Sequence, residues 1–280
     1  VTQAETEAVD AQVAQLRERL GHVSSDLHLI GHLMAEDPAA AERLFDEVAR
    51  GVLAHSSVYH QLAWAKGDDP NPATAAYPVS LSIGRGRSML KVGDDLRADP
   101  AASALVPRAL ATPGLFGGGL VSSGADSPSV VPVVMVVRAK VPAPGALGVL
   151  LAHLIPEQLM VPTAAEGQGG ELNFVLRDVS DGVSTLIGEF GSSVTGDVPA
   201  TAFRELAFAG RTWRMDSRRT DAFVSRHVSL VPWLMLAAGL VATLAMAALV
   251  RIFLRRHADI SRLVEARTRD LAETESRFIS

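Results

Sequence analysis

The chain has 280 residues, a formal net charge of −5 and no cysteine. The acidic balance gives no reason to expect nucleic acid as a partner. The lack of cysteine excludes disulfides, thiol nucleophiles and cysteine-based zinc sites. Residues 1–227 are too polar to lie in lipid and long enough for one or two compact domains.

Residues 1–36 predict a long helix, because apolar side chains recur in steps of four and three. This seam favours a stalk along which two copies of the chain dimerise. A core helix packed inside its own domain has the same pattern, and the two interpretations can hold for different halves. The seam consists of Val9, Val13, Leu16, Leu20, Val23, Leu27, Ile30 and Met34.

His28 and His32 lie one helical turn apart in this segment, on the polar side of the seam. No carboxylate completes a set of metal ligands with them, so solvated histidines explain the pair better than a metal site. We predict no metal and no cofactor.

Residues 37–125 predict a first module of mixed helices and strands. Asp37 and Pro38 are typical of a helix start, and residues 66–75 have the Gly, Asp, Asn and Pro content of a loop. Two short strands, at 77–83 and 88–93, and a further helix follow. The glycine-rich stretch near the end of this module lacks P-loop spacing, and no Ser–His–Asp order stands out, so we predict no catalytic site.

Asp94 and Asp95 are adjacent, so on a strand they would face opposite ways and could not form a catalytic pair. If one points inward, its buried carboxylate needs a donor from the protein or from a ligand. A turn aspartate bonded to the local backbone is the alternative, and the residues alone favour it.

Residues 126–227 predict a second module made mostly of strands. Two strands flank a Pro-Ala-Pro-Gly turn, a short helix follows at 156–161, and four more strands complete the module. Two such blocks behind one long helix indicate an α+β fold with antiparallel sheets.

An uncharged stretch of 23 residues, 228–250, predicts a transmembrane helix. At a rise of ~1.5 Å per residue it spans the ~30 Å hydrocarbon core of a bilayer. Trp233 lies near one edge of the stretch and three arginines follow the other. Arginines also precede the span, so charge favours a cytoplasmic carboxyl side only modestly. Residues 251–280 follow a looser heptad pattern, which is typical of a signalling helix.

Four segments resemble CHASE domains, the extracytoplasmic sensors of bacterial receptors and plant cytokinin receptors. GDDLRADPAASALVPRALATPG (93–114) resembles the family's G-x-D-L-x-x-D-P…A…R-A segment, and FDEVARGVLAHSSVYHQLAWA (45–65) is similar to the helix and strand before it. VVPVVMVVRAKVPAPGALGVLLAHLIPEQLM (130–160) is similar to the family's strand, glycine turn and short helix. AFRELAFAGRTWRMDSRR (202–219) resembles the closing strands.

The resemblance implies a stalk helix followed by two PAS-like modules outside the membrane, between two transmembrane helices, the first of which would precede Val1. It implies a small-molecule ligand in the membrane-distal module. Asp95 matches the aspartate that bonds the ligand in cytokinin receptors, and a backbone group near Leu115 to Leu120 would contribute. With Tyr77, the predicted ligand-binding residues are Asp95, Tyr77, Leu115 and Leu120. The stretch before Tyr77 is shorter than the family usually carries, which leaves the ligand's identity open.

We therefore expect the ligand-sensing and transmembrane part of a dimeric bacterial receptor, with a histidine kinase or diguanylate cyclase as its output. The alternatives are a chemoreceptor-type sensor without catalytic output and a membrane-anchored enzyme with an unrecognised site. The expected partners are a small molecule, a second copy bound through the stalk and transmembrane helices, and the lipid bilayer. The expected organisation is a stalk helix at 1–36, a distal module at 37–125, a proximal module at 126–227, a transmembrane helix at 228–250 and a cytoplasmic signalling helix at 251–280. Residues 1–227 are expected outside the cytoplasm.

Overall fold

The computed structural model describes ten ranges of the chain. They are residues 3–67, 76–86, 89–100, 102–122, 128–139, 146–160, 172–191, 194, 199–220 and 231–278, the last with its side chains from 233 to 256. The chain forms two compact units, residues 1–224 and residues 225–280.

Two helices begin the first unit: α1, Gln3–Glu36, and α2, Ala41–His55, with a short 3-10 turn, Pro38–Ala40, between them. The carboxylate of Asp37 accepts a hydrogen bond from the main-chain N–H of Ala40 at 3.1 Å, which confirms the predicted cap. The apolar face of α2 is buried, as its spacing of four residues requires.

Five antiparallel strands form the first sheet. They are β1, Tyr59–Lys66; β2, Val79–Gly84; β3, Leu115–Gly117; β4, Val131–Arg138; and β5, Ala146–Leu154. Their order across the sheet is β2-β1-β5-β4-β3. Helix α3, Leu105–Ala111, precedes β3 in the chain, and the short helix α4, Pro156–Leu159, follows β5. The middle strands are almost wholly buried because apolar clusters cover both faces of the sheet.

Four antiparallel strands form the second sheet. They are β6, Leu172–Asp178; β7, Thr185–Gly191; β8, Ala202–Phe208; and β9, Arg211–Arg219. Their order across the sheet is β7-β6-β9-β8. A two-residue turn joins β8 to β9, with positive φ at both Ala209 (48°) and Gly210 (72°). Turns of this kind match the right-handed twist of the strands that they connect.

The sheets correct the expected boundary between the modules. The sequence pattern groups residues 126–227 together, but β4 and β5 are hydrogen-bonded into the first sheet, where β5 pairs with β1. The boundary near residue 126 therefore cuts through that sheet. The chain passes from the first sheet to the second between Met160 and Leu172. The expected fold class is confirmed: α+β, with a long amino-terminal helix, two antiparallel sheets and a long apolar carboxyl-terminal helix.

The seam of α1 lies inside its own chain. All eight seam residues are between 0 and 4% exposed, and α1 contacts strands of both sheets. At Gly31 the helix lies so close to β4 that a Cβ atom would come within 2.4 Å of Met135 Cε. The seam is thus unavailable as a dimer interface, which corrects the interpretation as a dimerising stalk. The homodimer itself stays a prediction.

The amino-terminal end of α1 is tied to the last strand of the first unit. The carboxylate of Glu5 is fully buried, and its Oε2 accepts hydrogen bonds from Nε (3.1 Å) and Nη2 (2.8 Å) of Arg219 on β9. Its Oε1 accepts from Ser217 Oγ at 3.2 Å and from Thr201 Oγ1. These contacts therefore hold the start of α1 against the end of β9.

The second unit contains the helix α5, Val231–Phe278. Its segment Trp233–Arg256 has 24 residues and no buried side chains, and an 18-residue window within it has a mean hydropathy of 2.2. Within the described ranges it is the one helix that is long and apolar enough to cross a membrane, so α5 is a candidate span by length and composition. Residues 228–230 of the predicted span lie outside the described ranges. The helix continues without a break through most of the predicted signalling segment.

Candidate functional site

Different elements pack on the two faces of the first sheet. One face packs on α1 and α2, and the other packs on α3 and on Leu90, Leu96 and Ala102. The second face carries a cluster of its own, to which every other residue of β1 contributes, such as Ala63 and Ala65, because strand side chains alternate between faces. This second face holds two of the four predicted ligand-binding residues and a group of buried polar side chains.

Asp95 lies in a turn, half-buried, and its carboxylate contacts the main chain. Oδ1 accepts hydrogen bonds from the N–H of Tyr77 (3.1 Å) and of Arg97 (3.0 Å). The exposed carboxylate of Asp94 accepts from the N–H of Lys91 at 2.7 Å. Both aspartates therefore have the local backbone role that the residues alone favoured, and for Asp95 a ligand contact stays a prediction.

The structure brings Asp95 and Tyr77 together but places the two leucines elsewhere. The side chain of Tyr77 is buried in the cluster of the second face. Leu115 and Leu120 are half-buried and pack with the cluster on the face that α1 and α2 cover. Phe116, between them, packs against the second face. Successive strand residues point to opposite faces, so Phe116 rather than Leu115 would have been chosen had the face occupied by one of them been known.

The second face contains a buried polar group that the sequence pattern did not reveal. Gln61 on β1 is paired in register with His153 on β5, and both are 1% exposed. Residue 88 of the expected strand at 88–93 lies outside the described ranges, and 89–93 form bends and a turn instead, where the Gln61 side chain bonds to the main chain of Met89 and Leu90. His153 is a lone polar residue in an otherwise apolar strand, which is the signal that could have found this group.

Burial is the main cause that lowers the pKa of His153, to about 4, and the nearby His60 lowers it further. The ring is therefore neutral at physiological pH. An unfolded chain binds a proton at this position near pH 6.5, whereas the folded chain does not until the pH approaches 4. More protons are thus bound by the unfolded state over this window, and stability is lost as the pH falls through it.

We expect the free energy of unfolding to fall by up to about 3 kcal/mol between pH 6.5 and pH 4 on account of His153. Urea unfolding at several pH values measures this loss. His153→Leu, which cannot titrate, should show a shallower dependence. Equal slopes in wild type and His153→Leu would contradict the assignment.

A groove of about 760 Å³ lies beside α1 and α2, away from Asp95. Arg19 closes part of it by donating to the carbonyl of Gln158 at 2.8 Å. Asp26 accepts from the hydroxyl of Tyr59 at 2.9 Å, and burial together with this carboxylate raises the pKa of Tyr59. Among the described residues, no group of three or more His, Cys, Asp or Glu side chains could hold a metal ion.

No protein-family model and no curated protein matches the sequence. Solved structures do match the fold. The ligand-binding domain of the Pseudomonas aeruginosa amino acid chemoreceptor PctB, in complex with L-Arg, matches with a TM-score of 0.53 and 14% identity over 81% of this chain and 97% of that domain. The ligand-binding domain of the Campylobacter jejuni chemoreceptor Tlp3, in complex with 4-methylisoleucine, matches with a TM-score of 0.51 and 9% identity over 79% and 91%.

A third match is the extracellular domain of vpHK1S-Z8, described as a histidine kinase, with a TM-score of 0.53 and 11% identity over 81% of this chain and all of that domain. At these identities the matches show a shared fold and do not single out the CHASE family. The chain has the fold of the extracytoplasmic ligand-binding sensor domains of bacterial chemoreceptors and of a histidine kinase.

Proposed function

We propose that this chain is the ligand-sensing and transmembrane part of a bacterial receptor, with residues 1–224 outside the cytoplasm. One observation carries the proposal: a unit with the fold of whole sensor domains is followed directly by a helix that is long and apolar enough to span a membrane. A sensor domain has to be connected to a membrane span in this way if it is to report on the outside.

The first sheet and its covering segments form the membrane-distal module in this proposal, from residue 37 to residue 160, and the second sheet forms the proximal module. The ligand is a small molecule, and free amino acids are the first class to test, because the matching domains of PctB and Tlp3 are in complex with L-Arg and 4-methylisoleucine. The ligand lies on the second face of the first sheet, next to Tyr77 and Asp95.

Signal transfer follows from the two connections of α1. This helix packs along both sheets, and its first turns bond to the end of β9, the last strand before the span in the chain. A ligand shifts the receptor only by binding one of two states more tightly than the other. A shift of α1 against the first sheet would therefore reach β9 through Glu5.

The output is a histidine kinase or a diguanylate cyclase in this proposal, in a dimer of CHASE-type receptors. A chemoreceptor-type output is the second candidate, and the matches to PctB and Tlp3 favour it. In both cases the long, uninterrupted α5 carries the signal from the membrane onward. The exposed surface of α1 replaces the buried seam as the contact between the two copies.

Asp95→Asn tests the ligand site without disturbing the turn. The variant keeps Oδ1 as an acceptor for the N–H groups of Tyr77 and Arg97 and removes the negative charge. We expect affinity to fall by ~1.5–3 kcal/mol, the usual contribution of a charge-assisted hydrogen bond, or roughly 10- to 150-fold in Kd.

The measurement is a thermal-shift screen of the free amino acids on the chain in detergent, followed by calorimetry on the compound that raises Tm. Asp94→Asn is the matched control, because its carboxylate is exposed and bonds to Lys91. Equal affinity of Asp95→Asn and wild type for that compound would show that the carboxylate is a turn residue and no more.

A further inference from the structure

The orientation of the Gln61 amide is fixed by four contacts. Its Nε2 lies 2.6 Å from the carbonyl oxygen of Leu90 and 2.6 Å from Ser82 Oγ. A carbonyl can only accept, so this nitrogen is the donor. The Oε1 atom accepts from the N–H groups of Met89 (3.0 Å) and Leu90 (3.3 Å), which would clash with an NH2 group in its place.

This orientation determines the tautomer of His153. Its Nδ1 lies 3.4 Å from Gln61 Oε1, an atom that can only accept. The proton of the neutral ring is therefore on Nδ1, and Nε2 carries a lone pair. Nε2 is buried and has no hydrogen-bond partner among the described residues. A buried acceptor without a donor costs about 1–3 kcal/mol, so it needs an explanation.

We propose that Nε2 of His153 accepts a hydrogen bond from an N–H group of the ligand, such as an ammonium, guanidinium or amide group. The inference rests on the proposed function, since it takes the first sheet to be the ligand module. His153 lies on the second face, the face that also holds Tyr77, between Gln61 on β1 and Pro132 on β4. A carboxylate in the same place would set lone pair against lone pair.

The segment around Gly118 lies beside His153. Gly118 donates its N–H to the carbonyl of Pro132, the strand neighbour of His153, at 2.8 Å. A Cβ at Gly118 would come within 2.7 Å of Pro132 Cγ, so this segment packs closely on this part of the sheet. Asp95 is bridged to Pro78 near the opposite end of β1, about four residues or ~13 Å along the strand. The two acceptors can therefore be tested separately.

The first experiment uses the chain in detergent, labelled with ¹⁵N-histidine, and long-range ¹H–¹⁵N spectra that separate protonated, bare and hydrogen-bonded ring nitrogens. His153→Leu assigns the signals. Without ligand, we expect Nδ1 to be protonated and Nε2 to be bare. A proton on Nε2, or an Nε2 already hydrogen-bonded to water, would overturn the proposal whatever the ligand is.

The second experiment adds L-arginine, L-glutamine or L-leucine. For a compound that raises Tm, we expect the Nε2 signal to move to the hydrogen-bonded range with the tautomer unchanged. We also expect at least a tenfold higher Kd in His153→Leu and an unchanged Kd in the control His55→Leu. Binding with an unmoved Nε2 signal and the same Kd in His153→Leu would overturn the proposal while leaving the proposed function intact. If no free amino acid raises the Tm of the wild type, the amino-acid part of the proposed function fails, and the spectrum without ligand still tests the tautomer and the bare Nε2 of His153.

Discussion

Leu27→Asp is expected to unfold the first unit. Leu27 is 1% exposed in the middle of the α1 seam, and the substitution places a charge in an apolar interface. A buried charge without a partner is among the few changes that cost more than about 4 kcal/mol. Urea unfolding followed by tryptophan fluorescence measures the loss, because Trp64 and Trp213 are buried, one in each sheet.

Leu29→Asp is the matched control, since Leu29 lies two residues away on the same helix and is 52% exposed. We expect it to change the free energy of unfolding by no more than about 0.5 kcal/mol. If the seam were a contact between two copies, Leu27→Asp would yield a folded monomer in sedimentation experiments. That outcome would contradict the packing of α1 against the two sheets.

Arg219→Met is expected to destabilise the first unit by about 3–5 kcal/mol. The substitution keeps an unbranched apolar side chain of similar length but removes the guanidinium that pairs with the fully buried carboxylate of Glu5. Breaking a buried ion pair from one side costs this much because the remaining charge stays out of water. The hydroxyl groups of Ser217 and Thr201 still donate to it, which favours the lower end of the range.

Arg204→Met provides the comparison in the same sheet. Arg204 pairs with Asp10, one and a half turns further along α1, and both side chains are largely exposed (41% and 53%). Exposed pairs contribute about 0–1 kcal/mol, so the loss should be small. Equal losses in Arg204→Met and Arg219→Met, measured by urea unfolding, would show that burial of Glu5 has no bearing on the stability of the junction.

The sequence predicts the helix α1 but not its partner. Apolar residues at intervals of four and three positions form one continuous apolar face on a helix. Such a face can pack against two sheets as well as against a second helix, so the pattern does not identify the partner. From the sequence alone, the burial of Met34 and Val9 at opposite ends of the seam could be due either to a second copy or to the chain's own sheets. Candidate strands were found from short apolar runs, but their pairing was not.

The pairing of β1 with β5 joins residues about ninety positions apart, such as Trp64 and Leu150. Nothing local in either strand specifies that neighbour, which is why the expected boundary near residue 126 fell inside the first sheet. The role of Asp95 in the turn followed from local chemistry, since an aspartate beside main-chain N–H groups forms such bonds readily. The link between Gln61 and His153 depends on the same distant pairing, and so it became visible only in the folded chain.

Single cysteines test the central claim, that a sensor unit outside the cytoplasm is anchored by α5. The chain has no cysteine of its own, so Ser25→Cys, on the exposed side of α1, and Thr268→Cys, beyond the apolar segment of α5, each give one reactive site. We expect a membrane-impermeant maleimide to label Ser25→Cys on intact cells and to label Thr268→Cys only after the membrane has been permeabilised. Labelling of Thr268→Cys on intact cells, with Ser25→Cys protected, would contradict the account.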